Sequence, residues 1–96
     1  SSPNILLSDN TILSEEIELN IFPNPASEFV NLSFNSKSDY RWVVYNELGS
    51  IVNQSRTKKS IGNTIEKINT SALKPGVYFI SIIIDGNAIT KEILVN

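Results

Sequence analysis

The chain carries ten carboxylates, spread from Asp9 to Glu92, and they are the first candidates for chemistry. None follows the close alternation of oxygen ligands around a glycine that a calcium loop requires. The densest group, Glu15-Glu16-x-Glu18, reads as a solvated stretch of linker, with a weak cation site as the alternative. Serine and threonine are plentiful, but a hydroxyl nucleophile needs a base and an oriented third partner. Histidine and cysteine are both absent, and no Gly-x-Ser-x-Gly elbow occurs. Triads, His-based metal sites and the usual neutral-pH proton shuttle are therefore ruled out. Lysine-based and paired-carboxylate chemistries remain formally open, but no constellation supports them. The chain reads as a non-enzyme with no cofactor and no metal. The remaining functional side chains are aromatic. Tyr40, Trp42, Tyr45 and Tyr78 are the candidates for a sugar platform, but each sits in an apolar run, which favours core packing. Tyr45 and Tyr78 are the two expected to show an edge to solvent.

Eight basic residues nearly balance the ten acidic ones, for a formal net charge of −2. Nucleic-acid binders show a basic face, and here the one adjacent basic pair, Lys58-Lys59, reads as a solvated loop tip. No apolar run approaches the ~20 residues of a helical membrane span. Without cysteine, no disulfide staples the fold. Ser1-Ser2-Pro3-Asn4 lacks the basic and apolar regions of a signal peptide. The lack of methionine suggests a piece of a longer or processed chain. At 96 residues, one core is expected, with roughly 60–65% of the unfolded surface buried.

The elements that must position any site follow from periodicity. Residues 1–16 keep no period and read as a linker; Ile5-Leu6-Leu7 and Ile12-Leu13 are its only apolar clusters. Glu18 to Phe22 alternates briefly and stops at Pro23-Asn24-Pro25, where proline withholds a donor and holds the segment extended. Glu28 to Phe34 places Val30, Leu32 and Phe34 on one face. Tyr40 to Tyr45 places Tyr40, Trp42 and Val44 together, with Trp42 as the largest core contributor. Asn46-Glu47-Leu48-Gly49 predicts a tight turn, and Ile51 to Thr57 the return strand of a hairpin. Asn63 to Asn69 is a weaker strand through Ile65 and Ile68. Leu73 anchors the connection from Thr70 to Gly76. Val77 to Ile84 is apolar except for Ser81, as a strand covered at least partly on both faces would be. Asp85-Gly86 predicts a type I′ turn into a last strand, Asn87 to Val95. About seven short strands at this spacing predict an all-β, immunoglobulin-like antiparallel β-sandwich.

Four segments in order resemble a known family. They are Ile21-Phe22-Pro23-Asn24-Pro25-Ala26-Ser27, Val44-Tyr45-Asn46-Glu47-Leu48-Gly49-Ser50-Ile51-Val52, Ile68-Asn69-Thr70-Ser71-Ala72-Leu73-Lys74-Pro75-Gly76-Val77-Tyr78, and Thr90-Lys91-Glu92-Ile93-Leu94-Val95. Together they resemble the type A C-terminal sorting domain of the type IX (Por) secretion system of Bacteroidetes. The first is close to its aromatic-Pro-Asn-Pro-Ala block and the second to its Tyr-Asp-x-x-Gly-Arg/Lys-x-Val hairpin. The third is similar to its Leu-x-x-Gly-x-Tyr block, and the fourth to its lysine-bearing final strand. Asn46 stands where aspartate is usual, Ser50 where arginine or lysine is usual, and Glu92 where a second basic residue is usual.

The resemblance implies residues 17–96 as a sorting domain behind an upstream cargo. The cargo would cross the periplasm and end on the cell surface or be secreted, with the domain itself not inserted in a membrane. The implied partners are the translocon, shuttle proteins and a surface sortase-like protease acting in the linker; no nucleic-acid partner is implied. The candidate recognition residues are Lys91, Glu92, Ile93, Leu94, Val95 and Asn96, on a strand whose edge could accept another strand. Pro23, Asn24, Pro25, Ala26, Tyr45, Gly49, Leu73, Gly76 and Tyr78 are expected to serve the fold. The alternative is an immunoglobulin-like accessory module that binds polysaccharide or a neighbouring domain. A third possibility is pairing of residues 1–16 with the edge of a second copy.

Overall fold

The computed structural model describes residues 18–96, so the linker expected over residues 1–16 lies outside the described residues. Seven strands follow in order: β1 (Asn20–Phe22), β2 (Phe29–Ser36), β3 (Tyr40–Asn46), β4 (Ile51–Gln54), β5 (Gly62–Asn69), β6 (Gly76–Ile84) and β7 (Asn87–Val95). They form two antiparallel sheets, ordered β1-β2-β5 and β4-β3-β6-β7. The expected all-β, immunoglobulin-like sandwich is thus the observed architecture.

Alternation builds the core. Val30, Leu32 and Phe34 of β2 face Tyr40, Trp42 and Val44 of β3 and Tyr78, Ile80, Ile82 and Ile84 of β6, all in one buried cluster. Phe34 and Tyr40 meet edge-on, with centroids 4.9 Å apart at 73°, a favoured aromatic geometry. Trp42 is buried, and its Nε1 meets no acceptor among the described residues, so packing is what secures the ring. The β6–β7 hairpin closes through Asp85 and Gly86, both at positive φ (53° and 80°), as a type I′ turn requires.

Three local expectations change. Ile65 is 67% exposed, whereas Ile68 is buried. Residues three apart in a regular strand face opposite sides, and the register Leu32↔Glu66 and Val30↔Ile68 turns Glu66 and Ile68 inward, leaving Ile65 beside Ser33 on the outer face. β4 ends at Gln54, short of the expected Thr57, because past Gln54 the Trp42 N–H is taken by the Ser55 hydroxyl rather than by a backbone carbonyl. Beyond it, Ser55 N–H still donates to the Trp42 carbonyl, and one bridge joins Lys58 to Tyr40. The segment at Pro23-Asn24-Pro25 bends rather than runs extended, and both X-Pro bonds in it are cis.

One polar contact ties the sheets together. The Tyr40 hydroxyl on β3 donates to the Glu66 carboxylate on β5, which also receives Lys58 Nζ at 3.1 Å. Burial, and then the Glu66 hydrogen bond and charge, hold the phenol well above its ordinary value of 10.0.

Substituting Leu32→Ala should lower the unfolding free energy by about 2–5 kcal/mol, and Ile65→Ala by less than about 1 kcal/mol, in urea titrations with unchanged slope. Equal losses would contradict the register. For Tyr40, the folded-state pKa is raised, so its contribution is complete below the unfolded value, near pH 10, and is lost as pH rises above it. Denaturation between pH 8 and 11 should therefore show a shallower alkaline decline for Tyr40→Phe than for the parent chain.

Candidate functional site

The residues that carry the signature are scattered from 21 to 95, but the sandwich gathers them at one end. β1 leaves its sheet at Pro23, and the bend aims Asn24 and Ala26 at the outer edge of β7. Asn24 Oδ1 accepts Leu94 N–H at 3.0 Å. Ala26 N–H donates to the Leu94 carbonyl, and Asn96 N–H donates to the Ala26 carbonyl, each at 2.8 Å. Ala26 and Val95 thereby form a short parallel bridge. The Ala26 methyl is wholly buried in the core, which leaves little room for a larger side chain.

The β3–β4 turn lies alongside. Asn46 Oδ1 accepts N–H groups from Leu48 (2.9 Å) and Ser50 (3.0 Å), an Asx-type closure. Only its acceptor is used, so asparagine performs what aspartate would. The connection from β5 to β6 completes the end. Thr70 is buried; its N–H donates to the Glu28 carbonyl at 2.8 Å and its hydroxyl to the Ser27 carbonyl at 3.3 Å. Leu73 packs against the core, and the Tyr78 hydroxyl donates to the Lys74 carbonyl at 2.7 Å. Gly76 adopts φ +152° with open space where a Cβ would stand, so the backbone conformation itself is what asks for glycine. An open groove of about 220 Å³ runs between the turn and the connection, lined in part by Asn46, Leu48, Lys74 and Pro75. Leu48, 87% exposed, is its most accessible apolar side chain.

The candidate recognition residues divide by face. Ile93 and Val95 are buried in the core and cannot present side chains to a partner. Glu92, Leu94 and Asn96 are exposed at the edge. Lys91 is exposed, although it shares the parity of Ile89 and Ile93 and lies opposite buried Ile80. Tyr78, expected to show an edge to solvent, is instead buried, because the β3–β6 register turns it inward with Ile80. Tyr45 is half-buried. The described residues contain no group of three or more Asp or Glu able to hold a metal. Thr70 escaped detection, since a lone threonine after a strand carries no pattern; the Asn24–Leu94 contact joins residues 70 apart, which no local spacing encodes.

Two substitutions report on this end. Asn24→Ala should cost about 0.5–1.5 kcal/mol and speed exchange of the Leu94 amide in native-state hydrogen exchange, while amides of β3 keep their protection. Asn46→Asp should leave stability within about 0.5 kcal/mol, whereas Asn46→Ala should lose about 1–2 kcal/mol with its two hydrogen bonds.

No curated protein matches the chain. A family model, the secretion system C-terminal sorting domain, matches residues 20–96, from the first residue of β1 to the end of the described chain. That span contains every strand and every contact of the signature end, and the chain belongs to the C-terminal sorting domains of the type IX secretion system.

Proposed function

We propose that the type IX machinery reads the folded signature end together with the exposed residues of β7. The observation that carries this reading is the bridge between Ala26 and Val95, which brings signature blocks from both ends of the domain into one surface. Glu92, Leu94 and Asn96 would supply side-chain contacts, Lys91 a nearby charge, and Leu48 and Lys74 the wall of the adjoining groove. Ile93 and Val95 would act by seating the strand.

The edge of β7 offers a second contact. Leu94 turns its N–H and carbonyl outward to Asn24 and Ala26, so ladder alternation turns those of Ala88, Thr90 and Glu92 outward as well. These groups have no backbone partner among the described residues and can accept an added strand. The cargo lies upstream and crosses the periplasm before the translocon and its shuttle proteins engage the domain. A surface sortase-like protease then cuts within residues 1–16, leaving cargo at the surface or released.

A fusion of residues 17–96 to a periplasmic reporter, expressed in a type IX-competent host, should reach the cell surface. Retention in the periplasm would overturn the sorting role. Removing the last six residues is a poor probe of contact, since it strips Ile93 and Val95 from the core. Leu48→Ser, Lys74→Glu and Glu92→Lys, combined, leave the core intact and should cut surface delivery at least about tenfold, which corresponds to about 1.4 kcal/mol of lost recognition. Full delivery by that folded variant would place recognition elsewhere.

A further inference from the structure

The outer face of the β1-β2-β5 sheet does not serve the core, and its chemistry is distinctive. Register places Asn31, Ser33 and Asn35 of β2 beside Lys67, Ile65 and Asn63 of β5. Most of these groups are neutral amides or hydroxyls, and Asn35 Nδ2 donates to Asn63 Oδ1 at 3.1 Å. Two aromatic rings interrupt the polar surface. Phe22, 45% exposed, sits opposite Asn31. Phe29 lies two residues before Asn31 on the same face, a diagonal neighbour at about 7–8 Å.

At the Phe29 end the face opens into a groove of about 580 Å³, lined by Glu28, Phe29, Lys67, Asn69 and Ser71. Lys67, Asn69 and Ser71 are held in place. Lys67 Nζ rests 4.2 Å from the centre of the Phe29 ring. Asn69 Oδ1 accepts both the N–H (2.8 Å) and the hydroxyl (2.7 Å) of Ser71, which fixes the amide and leaves Nδ2 to donate. The groove thus offers amide and ammonium donors, a carboxylate acceptor and an aromatic surface within one opening.

We infer that this groove binds a neutral oligosaccharide. A sugar hydroxyl donates and accepts at once, which suits a carboxylate facing an amide and an ammonium. Aromatic rings pack against the C–H faces of a sugar ring with little loss of side-chain freedom. One cation and one anion cancel within the groove, so its electrostatics match an uncharged ligand rather than an acidic polysaccharide or a nucleic acid. The site is distinct from Tyr45 and Tyr78, and it does not depend on the sorting role.

The test is an amide-resolved NMR titration of the 96-residue chain with xylohexaose, cellohexaose and mannohexaose, and with oligogalacturonate as the acidic counterpart. Saturable shifts confined to Phe29, Lys67, Asn69 and Ser71 are expected with at least one neutral sugar. Phe29→Ala should weaken that binding about tenfold and Asn69→Ala about fivefold. Phe29→Tyr and the off-groove control Ile65→Ala should retain it, and each variant's spectrum shows whether it is folded. The inference is overturned by no saturable shift with any neutral sugar, by preferred binding of oligogalacturonate, or by undiminished binding in folded Phe29→Ala and Asn69→Ala.

Discussion

The latch between the Pro-Asn-Pro-Ala segment and β7 is the constraint on which the rest of the signature end depends. It consists of three hydrogen bonds, from Leu94 N–H to Asn24 and between the backbones of Ala26, Leu94 and Asn96. Each contributes about 0.5–1.5 kcal/mol net, which is modest beside the packing of Ile80 or Leu32. Its leverage is positional. With the latch closed, the backbone of Leu94 and Asn96 is paired on its outer side, Ala26 fills its place in the core, and Ser27 and Glu28 are set to receive Thr70. That in turn fixes the connection on which Tyr78 closes over Lys74. The prolines around Asn24 suit this arrangement, since their missing N–H groups are not needed where the chain bends away from β1.

The strands were legible because one face of each is buried. Val30-x-Leu32-x-Phe34 and Tyr40-x-Trp42-x-Val44 declare their core side by parity alone, and Asp85-Gly86 declares its turn by the backbone it must adopt. Legibility failed where parity was weak or where a partner decided the outcome. Ile65 and Ile68 are both apolar, and only the register against Leu32 shows which one faces inward. Tyr78 sits in an apolar run with no polar alternation, so nothing local separates its buried face from the half-buried face of Phe79. The end of β4 at Gln54 is a property of the β3–β4 pair, where the Ser55 hydroxyl takes the Trp42 N–H, not of either strand.

The signature end itself was legible as a set of blocks but not as a place. Asn24 and Leu94 look unrelated in the chain, as do Asn46 and Lys74, and their adjacency comes from sheet order. Family resemblance marked the blocks, and the sandwich explains why those types stand there: Ala26 for its small buried methyl, Asn46 for an acceptor oxygen, Gly76 for its φ. The departure at Asn46 is chemically silent, since the turn uses no property that asparagine and aspartate do not share. Ser50 differs in kind, because its backbone N–H is what reaches Asn46, leaving the side chain free to vary without disturbing the turn.

A signal assembled this way differs from a linear peptide. The unfolded chain holds every signature residue but none of the surface, because the contacts that create it join positions about as far apart as the domain allows. Closing loops of that length costs conformational entropy that only a completed core offsets, and Ile93 and Val95 are part of that core. A receptor that requires Ala26 to be seated against β7 therefore reads two things together: that the sequence is present, and that the sandwich has closed. The β2–β5 and β3–β6 pairs join strands that are not consecutive in the chain, and such pairing is slow relative to local structure, so the moment at which the surface appears is set by completion of the fold. Selectivity for a folded tag then needs no separate sensor, because the latch that forms the surface is itself a consequence of folding.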